Sequence, residues 1–95
     1  MKLPPKKLYV VVDASLSKSQ QAVQASHGVA QYVIDEDIHP SKDRWLNSTL
    51  VLLKDRDLDK YLSSCDSYWR EPDLDNRVTA VAFFKHSFPW DIPLL

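Results

Sequence analysis

The spacing of apolar and polar positions changes several times along the chain, and each change marks an element. Leu8 to Val12 is an unbroken, β-branched apolar run that stops at Asp13, the pattern of a strand buried on both faces. From Ser17 the period becomes helical. Ser17-Lys18-Ser19-Gln20 fits a capping box, in which the serine hydroxyl accepts from the third helical N–H and Gln20 reaches back, so a helix is predicted to start near Lys18. Ala22, Ala25, Ser26, Val29, Ala30 and Val33 recur at helical spacing and form one face, small enough to let the helix lie close on a sheet. Gln20, Gln24, His27 and Gln31 line up on another face.

A charged loop broken at His39-Pro40 leads to Ser48-Thr-Leu-Val-Leu-Leu-Lys54, a second apolar run of strand length. Strand, helix and strand in this order predict a βαβ unit with two parallel strands. Leu58, Tyr61, Leu62 and Cys65 then fall at helical spacing, with Asp55 or Asp57 as N-cap, and predict a short second helix. A strand near Ser67, a turn rich in Pro, Asp and Asn, and a strand from Val78 to Phe84 predict a closing hairpin. The reading is one α/β domain over residues 1–95: a mixed sheet of about four strands, covered by two main helices.

Composition narrows the function. The 95 residues are 44% hydrophobic and 26% charged, with a formal net charge of −1, so no broad basic surface for wrapping nucleic acid is present and any nucleic-acid contact is expected to be small. The single cysteine, Cys65, cannot close an internal disulfide, which suits a reducing, cytoplasmic setting. The apolar run near the N-terminus is too short for a signal peptide or a span, so no membrane partner is expected.

The rule that ligands of open α/β sheets bind beyond the carboxyl ends of strands points to Asp13 through Ser19. Lys18 in the first turn of a helix faces an end that is already positive. With the free N–H groups and the Ser15, Ser17 and Ser19 hydroxyls, its ammonium would receive a phosphate or a developing oxyanion; the alternative is a solvated lysine. His27 is either a general base or a structural hydrogen-bonder of the helix. The acidic turn Glu71-Pro72-Asp73-Leu74-Asp75 either lends a carboxylate to the site or is a solvated hairpin turn. Trp45 and Trp69 suit the core better than base stacking, and Cys65 suits it too. The lone glycine, Gly28, lies inside the helix, which removes any glycine-rich phosphate loop. His27, His39 and His86 are too scattered for a metal site. Ser15-x-x-Lys18 matches a pattern of penicillin-recognising serine enzymes, but the companion motifs are missing and the chain is too short for that fold.

The segments Leu8 to Tyr32, Arg44 to Lys54 and Glu71 to Phe84 together resemble the type II peptidyl-tRNA hydrolases, the archaeal and eukaryotic kind, and most of all their short bacterial and phage-borne relatives. In that family a strand ending in Asp is followed by a Met-Gly-Lys-Gly-Lys turn and a helix continuing Ala-Ala-Gln-x-x-His-Ala. Asp13, Lys18, Gln24 and His27 fall on the matching positions. The chain departs from the pattern in three places: Gln20 stands at the second lysine, Ser17 and Ser19 replace the glycines, and a Glu-Pro-Asp turn replaces an Asp-Ala-Gly-Arg-Thr loop.

The resemblance implies hydrolysis, by water, of the ester between a peptidyl group and tRNA, without metal or organic cofactor. It implies Lys18, Asp73 and His27 as catalytic residues: Lys18 on a phosphate or the oxyanion, Asp73 orienting Lys18 or the water, His27 with Gln24 organising the helix face. Asp13, Ser15, Ser17, Ser19, Gln20, Gln24 and Glu71 would contact substrate. Two other readings stay open. One is a catalytically silent module of the same fold that recognises tRNA, a nucleotide or a protein partner, which Gln20 favours. The other is a structural or oligomeric protein, with a second copy of the chain as partner and the tail bearing Phe88, Trp90 and Leu95 as docking element.

Overall fold

The computed structural model describes residues 7–38 and 49–84. Four strands and one α-helix follow in the order β1 (Lys7–Asp13), α1 (Lys18–Asp35), β2 (Thr49–Asp55), β3 (Ser67–Glu71) and β4 (Arg77–Phe83). They form one mixed sheet ordered β2-β1-β4-β3. β1 and β2 are parallel, as the βαβ pattern predicts, with Leu8 opposite Leu50 and Asp13 opposite Asp55. β4 runs antiparallel to both β1 and β3. Two reversals restore direction, so the carboxyl ends of β1, β2 and β3 and the amino end of β4 share one edge of the sheet.

Alternation along β1 feeds two separate cores. Leu8, Val10 and Val12 meet Ala25, Tyr32, Ile38, Ala80 and Ala82 under α1. Tyr9 and Val11 meet Leu53, Leu58, Tyr61, Val78, Val81 and Phe83 on the opposite face. Burial on both faces explains why the Leu8–Val12 run carries no polar positions.

The face that α1 presses on the sheet is Gln21, Gln24, Ala25, Gly28 and Tyr32, which is rotated from the small apolar stripe that periodicity predicts. Ala22, Ser26 and Ala30 are exposed, and with Val29, Leu50 and Leu52 they line an open apolar groove beside β2. The reason is the approach at Gly28. A Cβ there would come within 3.0 Å of Ala80 Cβ and 3.1 Å of Val10 Cγ1. The glycine lets the axis sit over β1 and β4, and two glutamines whose amides find partners are buried with it. The helix starts as predicted, with Ser17 Oγ accepting from Gln20 N–H at 3.2 Å. It ends in a Schellman arrangement: Asp37 takes φ 51°, and Ile38 N–H reaches Val33 O.

The second helix is not formed. Asp59–Tyr61 is a single 3-10 turn, followed by further turns. Leu58 and Tyr61 nevertheless reach the core of that face, with Leu62 and Cys65 packed against it, so the spacing reports burial and not a helix. Three aspartates at its start and Ser63-Ser64 at its end favour turns over a helix too short to propagate. Trp45 and the tail with Phe88, Trp90 and Leu95 lie outside the described residues, as do His39 and His86. No helix among the described residues is long and apolar enough to cross a membrane.

Candidate functional site

At the shared edge, the Asp13–Leu16 turn is fixed from two directions. Arg77, the first residue of β4, donates through Nε to Asp13 Oδ2 at 2.7 Å, and its terminal nitrogen bonds Asp13 Oδ2 and, at 2.6 Å, Ser15 Oγ. Ser15 adds its own N–H (2.9 Å) and hydroxyl (2.6 Å) to Asp13 Oδ1. Burial works to raise the Asp13 pKa, but the Ser15 and Arg77 donors outweigh it and hold the carboxyl below its ordinary value. Gln21 completes the turn by donating to Leu16 O at 2.8 Å. Asp13 and Ser15 thus spend their polar atoms on the turn itself.

A second network crosses from the sheet to α1. The hairpin register slips once, with Trp69 opposite Ala80 and Arg70 opposite Val78, so Thr79 is the extra residue of a β-bulge. Val78 joins the core away from the helix and Ala80 the core beneath it. Between them the bulge turns Thr79 toward α1, where its hydroxyl donates to Gln24 Oε1 at 2.7 Å. That bond sets the orientation of the buried amide. Gln24 Nε2 then donates to Glu71 Oε2 at 3.0 Å.

Glu71, at the carboxyl end of β3, is buried, yet its carboxylate collects donors: Gln24, Trp69 Nε1 at 3.2 Å on the same oxygen, and Asp73 N–H at 3.4 Å on the other. Gln24 and Trp69 are the main causes that hold its pKa below the usual glutamate value. Beside it stands His27, one turn along α1 from Gln24. Its Nδ1 is buried 3.5 Å from Glu71 Oε2, without a hydrogen bond, and its ring lies 4.7 Å from the Trp69 ring, tilted by 48°. The His27 side chain is 39% exposed.

Gln24, His27 and Glu71 line a cleft of about 410 Å³ with Leu16, Gln20, Val23, Asp73 and Leu74. The turn beyond β3 is a 3-10 turn, Pro72–Leu74, closed by Asp75 and Asn76 at φ 53° and 58°, a conformation Asp and Asn accept more readily than most residues. It brings Asp73 into the cleft lining with Leu16, Gln20 and Val23. Of the residues singled out in the sequence, Gln20, Gln24, His27, Glu71 and Asp73 come together here. Lys18, Ser17 and Ser19 stay exposed in and before the first helical turn, outside the cleft lining. No lysine or arginine lines the cleft among the described residues.

Sequence reasoning passes over Arg77 and Thr79 as site residues and takes Trp69 for core. Trp69 and Glu71 sit two apart on a strand, hence on one face, a signal that the spacing of the two residues already carries. Arg77 and Thr79 carry no such signal, since their partners lie 64 and 55 residues away. No group of three or more His, Cys, Asp or Glu able to hold a metal occurs among the described residues.

What the arrangement offers chemically is a histidine backed by a carboxylate. A carboxylate near Nδ1 favours the tautomer with its proton on that nitrogen, which leaves the lone pair on Nε2. Comparison of the chain with protein-family models, with curated proteins and with solved structures finds no match.

Proposed function

We propose that the cleft hydrolyses the ester joining a peptidyl group to the terminal ribose of tRNA, with His27 as general base. The observation that carries this reading is the convergence of Gln24, His27, Glu71 and Asp73 at the edge where β1 and β3 end. It is supported by the resemblance of the chain to type II peptidyl-tRNA hydrolases at Gln24 and His27.

In this mechanism a water in the cleft gives a proton to His27 Nε2 as its oxygen attacks the ester carbonyl. Glu71, 3.5 Å from Nδ1, balances the imidazolium that forms. Collapse of the tetrahedral intermediate breaks the acyl C–O bond, and the imidazolium returns its proton to the departing ribose oxygen. Asp73, in the same cleft lining, positions the water. Lys18 and the α1 N-terminus, outside the cleft, serve a phosphate of the terminal nucleotide. No metal or organic cofactor enters the scheme.

The exposed position of Lys18, away from the reacting centre, favours one second reading: a module of the same fold that binds RNA ends without cleaving them. Incubation with N-acetylaminoacyl-tRNA and with unblocked aminoacyl-tRNA separates the two. Release of the blocked amino acid is the result expected of the hydrolase. Retention of tRNA with no release sinks the hydrolytic reading and leaves the binding module.

A further inference from the structure

The oxygen of Glu71 that faces His27 is already taken. A carboxylate oxygen offers two in-plane acceptor positions, and Oε2 uses them on Gln24 Nε2 at 3.0 Å and Trp69 Nε1 at 3.2 Å. His27 Nδ1 stops at 3.5 Å without a hydrogen bond, although it is buried beside a negative charge. Such a pair would ordinarily close into a charge-assisted hydrogen bond, and a histidine so captured would hold its proton more firmly and act as a base only at higher pH. The indole that supplies the competing N–H also lies against the imidazole ring and limits its approach.

From this geometry we propose that Trp69 is a positioning residue: by occupying Glu71 Oε2 and walling the imidazole, it keeps the carboxylate from capturing His27 as an ion pair and so preserves a free Nε2. The consequence for the base rests on the hydrolytic reading above; the effect on the charge state of His27 does not. The charged groups that share the cleft with the imidazole are Glu71 from β3 and Asp73 from the turn after it, beside the uncharged Gln24 and Gln20 of α1 itself. Both charged groups are negative, so an Oε2 released from Trp69 offers His27 an acceptor and meets no opposing cation in the cleft.

The substitution Trp69→Phe keeps a ring against His27 and removes only the N–H. Ring-nitrogen NMR spectra of 15N-labelled protein at pH 7, with the His27→Gln spectrum assigning the signals, read the outcome directly. In the parent the two nitrogens of His27 give the reference spectrum. In Trp69→Phe they should converge, with the imidazolium-to-neutral ratio up roughly threefold or more, as expected when a charge-assisted bond replaces a contact. Adding Glu71→Gln should abolish the rise. An unchanged or lower ratio in Trp69→Phe overturns the proposal and makes Trp69 a filler of space.

Should that variant fail to fold, the parent alone decides. The Trp69 indole N–H signal should move as Glu71 titrates and exchange slowly with solvent, whereas exchange at the rate of a free indole overturns the proposal. Hydrolysis of N-acetylaminoacyl-tRNA by Trp69→Phe should show its pH profile displaced to higher pH. The NMR arms need no substrate, so failure of the hydrolytic reading leaves them intact, and their failure leaves that reading standing.

Discussion

Three carboxylates, each held by donors, govern how single residues respond to pH. Burial pushes the Asp55 pKa up, but bonds from Lys60 (2.8 Å) and Tyr61 (2.5 Å) and the Asp57 N–H outweigh it and hold the group at about 2, against an ordinary 3.8. Asp13 and Glu71 are also lowered. A carboxyl whose folded pKa is depressed contributes stability above its unfolded value and loses it as pH falls through the folded one. The melting temperature should therefore hold level above about pH 5 and fall from the unfolded values of 4.5 for Glu71 and 3.8 for the aspartates toward pH 2. In Asp55→Asn the lower part of that fall, between pH 4 and 2, should be shallower; an identical profile would show that the Asp55 bonds contribute nothing. Arg77→Ala belongs to the same scale. It leaves the buried Asp13 with its Ser15 donors alone, and because Arg77 is half exposed the loss should be about 2 kcal/mol in urea unfolding, below the full cost of breaking a buried pair.

At the scale of elements, the contact of α1 with the sheet is where glycine matters. Gly28→Ala improves helix propensity by up to about 1 kcal/mol. It also drives a methyl group into Ala80 and Val10, neither of which has a flexible end to move aside. Overpacking of this kind costs about 1–3 kcal/mol, so the net effect should be a destabilisation of about 1 kcal/mol, and more for Gly28→Val. Equal or higher stability of Gly28→Ala would mean that the helix lies further from β1 than the Gly28 contacts place it.

The strands and the start of α1 were legible because the Leu8–Val12 run, the Ser17 cap and the Pro-Asp-Asn turn are local signals. The rotation of α1 was not, since Gln21 and Gln24 enter the interior through partners elsewhere in the chain: Leu16 O for one, Thr79 and Glu71 for the other. The expected second helix is absent for the same reason, as Leu58 and Tyr61 are buried by the sheet face they meet and not by a helical period.

For the whole molecule, the topology places the site. Two strand reversals carry Glu71 to the edge where Asp13 ends, and the bulge at Thr79 links that edge to α1 through Gln24. The candidate positions Gln24, His27, Glu71 and Asp73 could be picked out by residue type, but their meeting depends on contacts across 47 residues of sequence, which no local pattern encodes. The central claim is that this meeting makes His27 a base. It is tested most directly by single-turnover hydrolysis of N-acetylaminoacyl-tRNA at pH 7 by the parent and by His27→Gln, with tRNA binding measured alongside. The account predicts release by the parent and a loss of about 10²- to 10⁴-fold in the variant with tRNA binding retained. Hydrolysis by His27→Gln at the parent's rate, or none by a parent that binds the substrate, would contradict it.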